Sequence, residues 1–321
     1  MAVFTHVTHS QVQDFCDQYE GIGKVVSVSP ITAGTDNSNY LVKTETEHYI
    51  LTLFEGRIPD TDLPPIFDFI DHINTHAISS PTAYVAKNGQ MLQSLAGKSA
   101  ALIHFVSGKS VDTPNANHCF QIGTVLANMH NAAENFTGQL QKNPLSISKW
   151  TDIYQQCLDT LNTDDRTYAN HILQKLQDQW PQDKNTLPYG AVHLDAFPDN
   201  IFFENDTLSS VIDFYFAAQD FYAYDLVLTL NAWAFDDTGK AIKENLTAFL
   251  KGYHTRRSVT EDEKNMLSLF GMGAAFRIFV TRLRDTGLRG NTDIVYTAKD
   301  PMPYLNIVKF YEGNGLAPYL S

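Results

Sequence analysis

The chain has 321 residues, of which 43% are hydrophobic and 18% charged. That length exceeds one typical core, so two lobes are expected in an ordinary globular protein. A formal net charge of −13, with no run that concentrates Lys and Arg, argues against nucleic acid or an anionic membrane as partner and leaves a small molecule as the default.

From the N-terminus, Ser10 is a candidate cap for a helix through Val12, Phe15, Cys16 and Tyr19, stopped by Gly21 and Gly23. Val25 to Ile31, Ser38 to Lys43 and His48 to Phe54 read as three strands of an antiparallel meander separated by turn-prone residues. Leu63 to His76 reads as a helix with Pro64 and Pro65 in its first turn, and Ala101 to Val106 as a short buried strand. After Gly108 the period becomes helical over Asn115 to Ala133, Ile147 to Leu161 and Thr167 to Trp180. Two short strands, Ile201 to Phe203 and Leu208 to Phe214, interrupt the helices, which resume near Tyr222; a late helix spans about Asn265 to Asp285. The expected fold is therefore α+β, with a small antiparallel-sheet lobe at 1–106 and a larger, mainly helical lobe at 107–321. Cys16, Cys119 and Cys157 are odd in number and far apart, which suits reduced, buried thiols rather than a disulfide framework or a metal site. The N-terminus has no basic region followed by an apolar one, and no window approaches the roughly 20 apolar residues of a membrane span, so a cytoplasmic protein is expected.

The most polar constellation adjoins the two short strands. Val192-His193-Leu194-Asp195-Ala196-Phe197-Pro198-Asp199-Asn200 has the shape His-x-Asp-x4-Asn, and Asp213 follows thirteen residues later. Phosphoryl transfer asks little covalent chemistry of a protein; it asks for an acceptor oxygen held in line and for metal ions bridging the phosphates. Asp195 would orient the acceptor hydroxyl and take its proton, while Asn200 and Asp213 would hold Mg2+. Taken singly, each could equally be a turn-capping residue. His193 reads as a structural brace of the loop.

This motif resembles that of the aminoglycoside phosphotransferase and choline kinase superfamily, whose fold is protein-kinase-like. Within it the chain is similar to the homoserine kinase family through Gly34-Thr-Asp-Asn-Ser-Asn-Tyr40, Tyr49-Ile-Leu-Thr-Leu-Phe-Glu55, Asp62-Leu-Pro64, Val211-Ile-Asp-Phe-Tyr-Phe-Ala217 and Tyr224-Asp225 running on to Leu230-Asn-Ala-Trp233. The resemblance implies an ATP-dependent phosphorylation of L-homoserine to O-phospho-L-homoserine, a step toward threonine. It also implies that Thr32, Gly34, Asn37, Ser38 and Asn39 cover the ATP phosphates and that Phe202 packs on adenine. His104 and Val106 would offer backbone groups to the adenine edge, and Asp225 would brace the catalytic loop. His130 would pack against that loop. Where many relatives carry a strand Lys, this chain has Thr52, which cannot replace an ammonium charge. Lys43 and Arg57 are the nearby cations.

Gly97-Lys98-Ser99 and Gly108-Lys109-Ser110 imitate a phosphate loop, but the glycine required five positions before Gly-Lys is replaced by Leu92 and Ile103. Other small-alcohol kinases of the same fold, acting on aminoglycosides, choline, ethanolamine or methylthioribose, remain an alternative, as does a nucleotide-binding pseudokinase. A homoserine site needs a cation for the substrate carboxylate. Among Arg277, Arg282 and Arg284 of the late helix, Arg277 has the most apolar flanks and is the chosen anchor, against the alternative that these arginines pair with surface acids.

Overall fold

The computed structural model describes residues 4–32, 37–56, 58–287, 299–313 and 315–319. Gly34 and Arg57, both singled out above, lie outside the described residues. The chain divides into two compact units, one running to Ser107 and the other beginning at Gly108.

The first unit is a five-stranded sheet of order β1-β2-β3-β5-β4, made by β1 Val25–Pro30, β2 Asn37–Thr44, β3 His48–Phe54, β4 Gln93–Leu95 and β5 Lys98–His104. All pairs are antiparallel, with Asn39 opposite Thr52 and Thr52 opposite Ala101. The period of two along β3 divides its side chains. Tyr49, Leu51 and Leu53 join a core with Val12, Phe15 and Cys16 of α1 (His9–Cys16), whereas Phe54 meets Phe67 of α2 (Leu63–Asn74) edge to face at 6.5 Å. Helix α1 is capped by Thr8 in a capping box with Gln11 rather than by Ser10.

The second unit is mainly helical, with α3 Ala116–Ala133, α4 Ile147–Gln156, α5 Thr163–Gln179, α6 Tyr222–Trp233, α7 Lys243–His254, α8 Glu261–Gly287 and α9 Met302–Glu312. Helix α3 packs along α7, and α8 is central, touching α4, α5, α6 and α9. The crossing of α3 and α7 is tight: a Cβ added at Gly252 would sit 2.0 Å from the Phe120 carbonyl oxygen, and one at Gly123 would sit 2.2 Å from that of Phe249. Two small antiparallel pairs complete the unit, β6 Tyr189–Val192 with β9 Ala218–Phe221, and β7 Ile201–Glu204 with β8 Thr207–Val211. The β7–β8 turn places Asn205 and Asp206 at positive φ, as a tight two-residue hairpin requires.

One expectation from the sequence needs correction. Glu261–Thr286 is long and apolar enough to cross a membrane, with mean hydropathy 1.4, although most of that stretch is buried within its unit. A central helix packed on all sides is apolar all round for the same reason a membrane span is. All three cysteines are buried and free, and burial pushes the Cys16 and Cys119 thiols up to about 12.

Candidate active site

Strand β6 delivers the chain into the loop 193–200, and a 3-10 turn at Pro198–Asn200 leads into β7. The loop is closed by its own backbone: Phe197 N–H donates to the Asp195 carbonyl at 2.8 Å and Asn200 N–H to that of Phe197 at 2.9 Å. The Asn200 side-chain amide then donates to the Asp195 carbonyl at 2.8 Å and to its carboxylate Oδ2 at 2.9 Å. With Nδ2 committed to Asp195, the oxygen of the Asn200 amide faces elsewhere. Ile212 N–H donates to the Asn200 carbonyl at 2.9 Å, which brings Asp213 to the same place from the end of β8. Asp195 and Asn200 are half-buried and Asp213 is exposed. The three residues that the motif spacing singled out therefore converge in one unit.

Two positions in this region are held in the left-handed conformation without being glycine, Leu194 at φ 61° and Asp213 at φ 63°. Such residues persist only where the surroundings over-determine them. For Leu194 the surroundings are visible. Its N–H donates to Asp225 Oδ1 at 2.8 Å, its carbonyl accepts from Arg277 Nη2 at 3.2 Å, and its side chain is buried. On its C-terminal side, Trp233 Nε1 donates to the Ala196 carbonyl at 2.8 Å.

His193 braces the same loop. Its Nδ1 accepts from Asp195 N–H at 3.1 Å and its Nε2 lies 3.2 Å from the Ile212 carbonyl, a pattern that only the neutral ring with hydrogen on Nε2 satisfies. Burial also keeps its pKa below the ordinary value. Behind Asp225 runs a buried chain. His130 Nε2 donates to Asp225 Oδ2 at 3.0 Å, and its Nδ1 accepts from the Tyr253 hydroxyl at 2.7 Å. Arg257 donates to that hydroxyl at 3.1 Å and pairs with Glu263 at 2.9 Å. Burial lowers the His130 pKa. For Asp225, burial works to raise the carboxyl, but the hydrogen bond from His130, the charges beside it and the Leu194 N–H prevail and leave it below the usual range.

Of the three arginines of α8, Arg282 donates to the Asp300 carbonyl and lies over Tyr304, and Arg284 pairs with Asp285 at 2.9 Å. Arg277 differs. It is 2% exposed, and beyond Leu194 its Nε and Nη1 have no hydrogen-bond partner among the described residues. A guanidinium in that state is poised for an anion.

The nucleotide-side residues fare unevenly. Thr32 is exposed at the end of its described segment, and Asn37 is buried at the start of β2. The Ser38 hydroxyl is fully buried and already engaged, accepting from Phe4 and Thr5 N–H and donating to Glu55, so its side chain ties down the N-terminal segment instead of meeting phosphate. Thr52 is 1% exposed and donates to Asn39 Oδ1 at 2.7 Å. The His104 N–H donates to the Thr82 carbonyl at 2.9 Å, which withdraws that donor from an adenine; Val106 follows in an irregular segment. Phe202 is half-buried in β7 opposite Ser210. Lys43 is exposed on β2. Sequence reading missed Asn143, Asp220, Tyr253, Arg257 and Glu263, none of which stands in a motif with fixed spacing. An open cavity of about 360 Å³ beside Tyr189 and Tyr222 holds none of the residues of the loop 193–200.

The sequence of residues 27–259 matches the family model described as phosphotransferase enzyme family. A homoserine kinase of Nitrobacter hamburgensis is 38% identical over 318 residues, covering 98% of this chain and 96% of that protein. One from Zymomonas mobilis is 35% identical over 315 residues, covering 97% of each. Among solved structures, an amicoumacin kinase in complex with AMP-PNP and Ca2+ covers 98% of this chain and 96% of its own, with TM-score 0.72 at 17% identity. A spectinomycin phosphotransferase in complex with ADP and spectinomycin covers 98% of each chain with TM-score 0.66 at 15% identity. At such identities the structural likeness carries the fold alone. With a family model spanning most of its length and relatives aligned end to end, the chain belongs to the phosphotransferase enzyme family.

Proposed function

We infer that this chain transfers the terminal phosphoryl group of ATP to the hydroxyl of L-homoserine, giving O-phospho-L-homoserine. The observation that carries the chemistry is the Asn200 amide fixed on Asp195 in a loop whose other end is tied to the residue before Asp213. Asp195 then presents a half-buried carboxylate that aligns the acceptor hydroxyl and takes its proton as the bond to phosphorus forms. The acceptor preference rests on the full-length likeness to homoserine kinases.

The residues present suit magnesium. Mg2+ prefers oxygen donors, keeps several waters and needs only one or two protein ligands beside the phosphates. The Asn200 amide oxygen and the Asp213 carboxylate are such a pair, and among the described residues no cluster of three or more His, Cys, Asp and Glu offers a competing cage. When bound, the ion would neutralise charge on the transferring phosphoryl group.

We assign nucleotide binding to residues 1–106, with Thr32, Gly34, Asn37, Asn39 and the Val106 backbone on the nucleotide together with Phe202. Catalysis and acceptor binding fall to residues 107–321, with Arg277 taking the substrate carboxylate. A cytoplasmic setting suits two small polar substrates.

The test is ADP release, measured with a coupled assay over L-homoserine, choline, ethanolamine, methylthioribose and an aminoglycoside. Turnover with homoserine should exceed that with each other alcohol by roughly 10² or more, since every one of them leaves the site's anion-binding groups unpaired. Efficient use of choline, which has no carboxylate, would overturn the acceptor.

A further inference from the structure

Arg277 is one half of an arrangement that no motif announces. Asp220, in β9, lies near enough for the Arg277 charge to act on its carboxyl, and both act on the hydroxyl of Tyr224. Yet among the described residues neither forms an ion pair within 4.0 Å. Two opposite charges taken out of water next to one another, but not in contact, are each left under-compensated. The Tyr224 hydroxyl is likewise buried, close enough to Arg277 for the guanidinium to act on it but without an aligned hydrogen bond.

Asp220 is held in place. Asn143 Nδ2 donates to its Oδ2 at 2.7 Å and Phe221 N–H donates to its Oδ1 at 2.8 Å. Asn143 is itself anchored because the segment 141–143 runs beside β9, with Gln219 N–H donating to the Gln141 carbonyl at 2.8 Å. A carboxylate offers about four acceptor positions, so two donors leave room for an ammonium group. Asp220 is partly exposed, whereas Arg277 is not, so a ligand would reach the pair from the Asp220 side. Arg277 also holds the Leu194 carbonyl, one residue before Asp195, which ties Arg277 to the loop of the proposed base.

We propose that Asp220 receives the α-ammonium group of the acceptor while Arg277 receives its α-carboxylate, so that the two together select a zwitterionic amino acid. The assignment rests on the homoserine reading above and deepens it. A ligand carrying both charges on one carbon would pair with both side chains at once, and a ligand lacking either strands one buried charge. The environment of Asp220 agrees: burial pushes its carboxyl up to about 6, against the hydrogen bonds from Asn143 and Phe221 and the Arg277 charge, with Asp225 adding to the rise.

The experiment compares L-homoserine with 4-hydroxybutanoate, which lacks the ammonium, and 3-aminopropan-1-ol, which lacks the carboxylate. Homoserine is read as substrate and the other two as competitors of its turnover. Asp220→Asn should raise the homoserine KM roughly tenfold and shrink the preference for homoserine over 4-hydroxybutanoate by a similar factor, with the ATP KM unchanged. Arg277→Gln should shrink the preference over 3-aminopropan-1-ol instead.

A second readout needs no variant. In the wild type the homoserine KM should rise as pH falls through about 6 while the inhibition constant of 4-hydroxybutanoate does not follow. The groups facing Asp220 are Arg277 from α8, Tyr224 and Asp225 from α6, Tyr189 from β6 and Asn143. Of these, Asp225 is held below the usual carboxylate range and the tyrosines above theirs, so Asp220 is the one that titrates there. A wild type that ignores homoserine would defeat the acceptor reading itself. A wild type that uses homoserine, with an Asp220→Asn variant that shifts nothing or weakens all three ligands alike, would defeat the Asp220 assignment alone.

Discussion

Asp195 is the residue on which the proposed chemistry turns, and its surroundings separate its role from that of the metal ligands. Replacing Asp195 by Asn removes the proton acceptor but keeps an oxygen and a volume of similar size beside the Asn200 amide. Turnover should fall by a factor of roughly 10² or more with the ATP KM little changed, measured by steady-state ADP release. Near-normal turnover would remove Asp195 from the chemistry. Asp195, Asn200 and Asp213 were legible in the sequence because a loop and an adjoining hairpin fix their spacing. Arg277 stood out because, of the three arginines of the late helix, it has the most apolar flanks. Asp220 was not, since its significance comes from α8 and the segment at Asn143, which lie 57 residues later and 77 residues earlier. The tie made by the Ser38 hydroxyl was hidden for the same reason: its partners Phe4, Thr5 and Glu55 are invisible to local reading.

The elements behind the loop make its geometry durable. Helix α3 carries His130 and α7 carries Tyr253, and their hydrogen bond at 2.7 Å depends on the close crossing at Gly123 and Gly252. Gly252→Ala would force a methyl group against the Phe120 carbonyl, and nothing short of separating the helices relieves that contact. A loss of about 1–3 kcal/mol in unfolding free energy is expected, read from urea denaturation. A change below about 0.5 kcal/mol, the ordinary range for a surface site, would mean that the crossing is looser than described. The long helices and the three meander strands could be read from periodicity, and His48–Phe54 was read with its observed bounds. Strands β4, β6 and β9 could not, because three or four residues carry no usable period, and β6 finds its partner only across the intervening hairpin. Helix α5 begins four residues before its apolar pattern does, at the Asn162 cap.

Stability against pH is a property of the whole molecule to which the site contributes terms of both signs. His130 and His193 are held neutral by burial, so their folded pKa values lie below the ordinary 6.5. The unfolded chain therefore binds protons more readily, and the stability they contribute is full above 6.5 and lost as pH falls below it. Asp220 opposes this: its raised carboxyl binds a proton sooner in the folded state, adding stability as pH falls through about 6 toward 3.8. The thermal unfolding midpoint should fall below pH 6.5, less steeply once Asp220 protonates. In an Asp220→Asn variant, which removes the opposing contribution, a midpoint that is the same at pH 7 and pH 5 would mean that the two histidines carry charge in the folded protein. Helix α8 bears on a different stage of the molecule's life. As the chain emerges during synthesis, Glu261–Thr286 is a bare segment whose length and hydropathy suit a lipid span as well as a buried core helix. Arg277 sits near the middle of its apolar stretch, where an arginine opposes translocon insertion by about 2.5–3.5 kcal/mol. The side chain proposed to read an amino acid's carboxylate thus also lowers the tendency of this segment to enter lipid. Arg277→Leu in the isolated segment should raise its inserted fraction in a microsomal insertion assay, and an unchanged fraction would leave Arg277 with no part in that sorting.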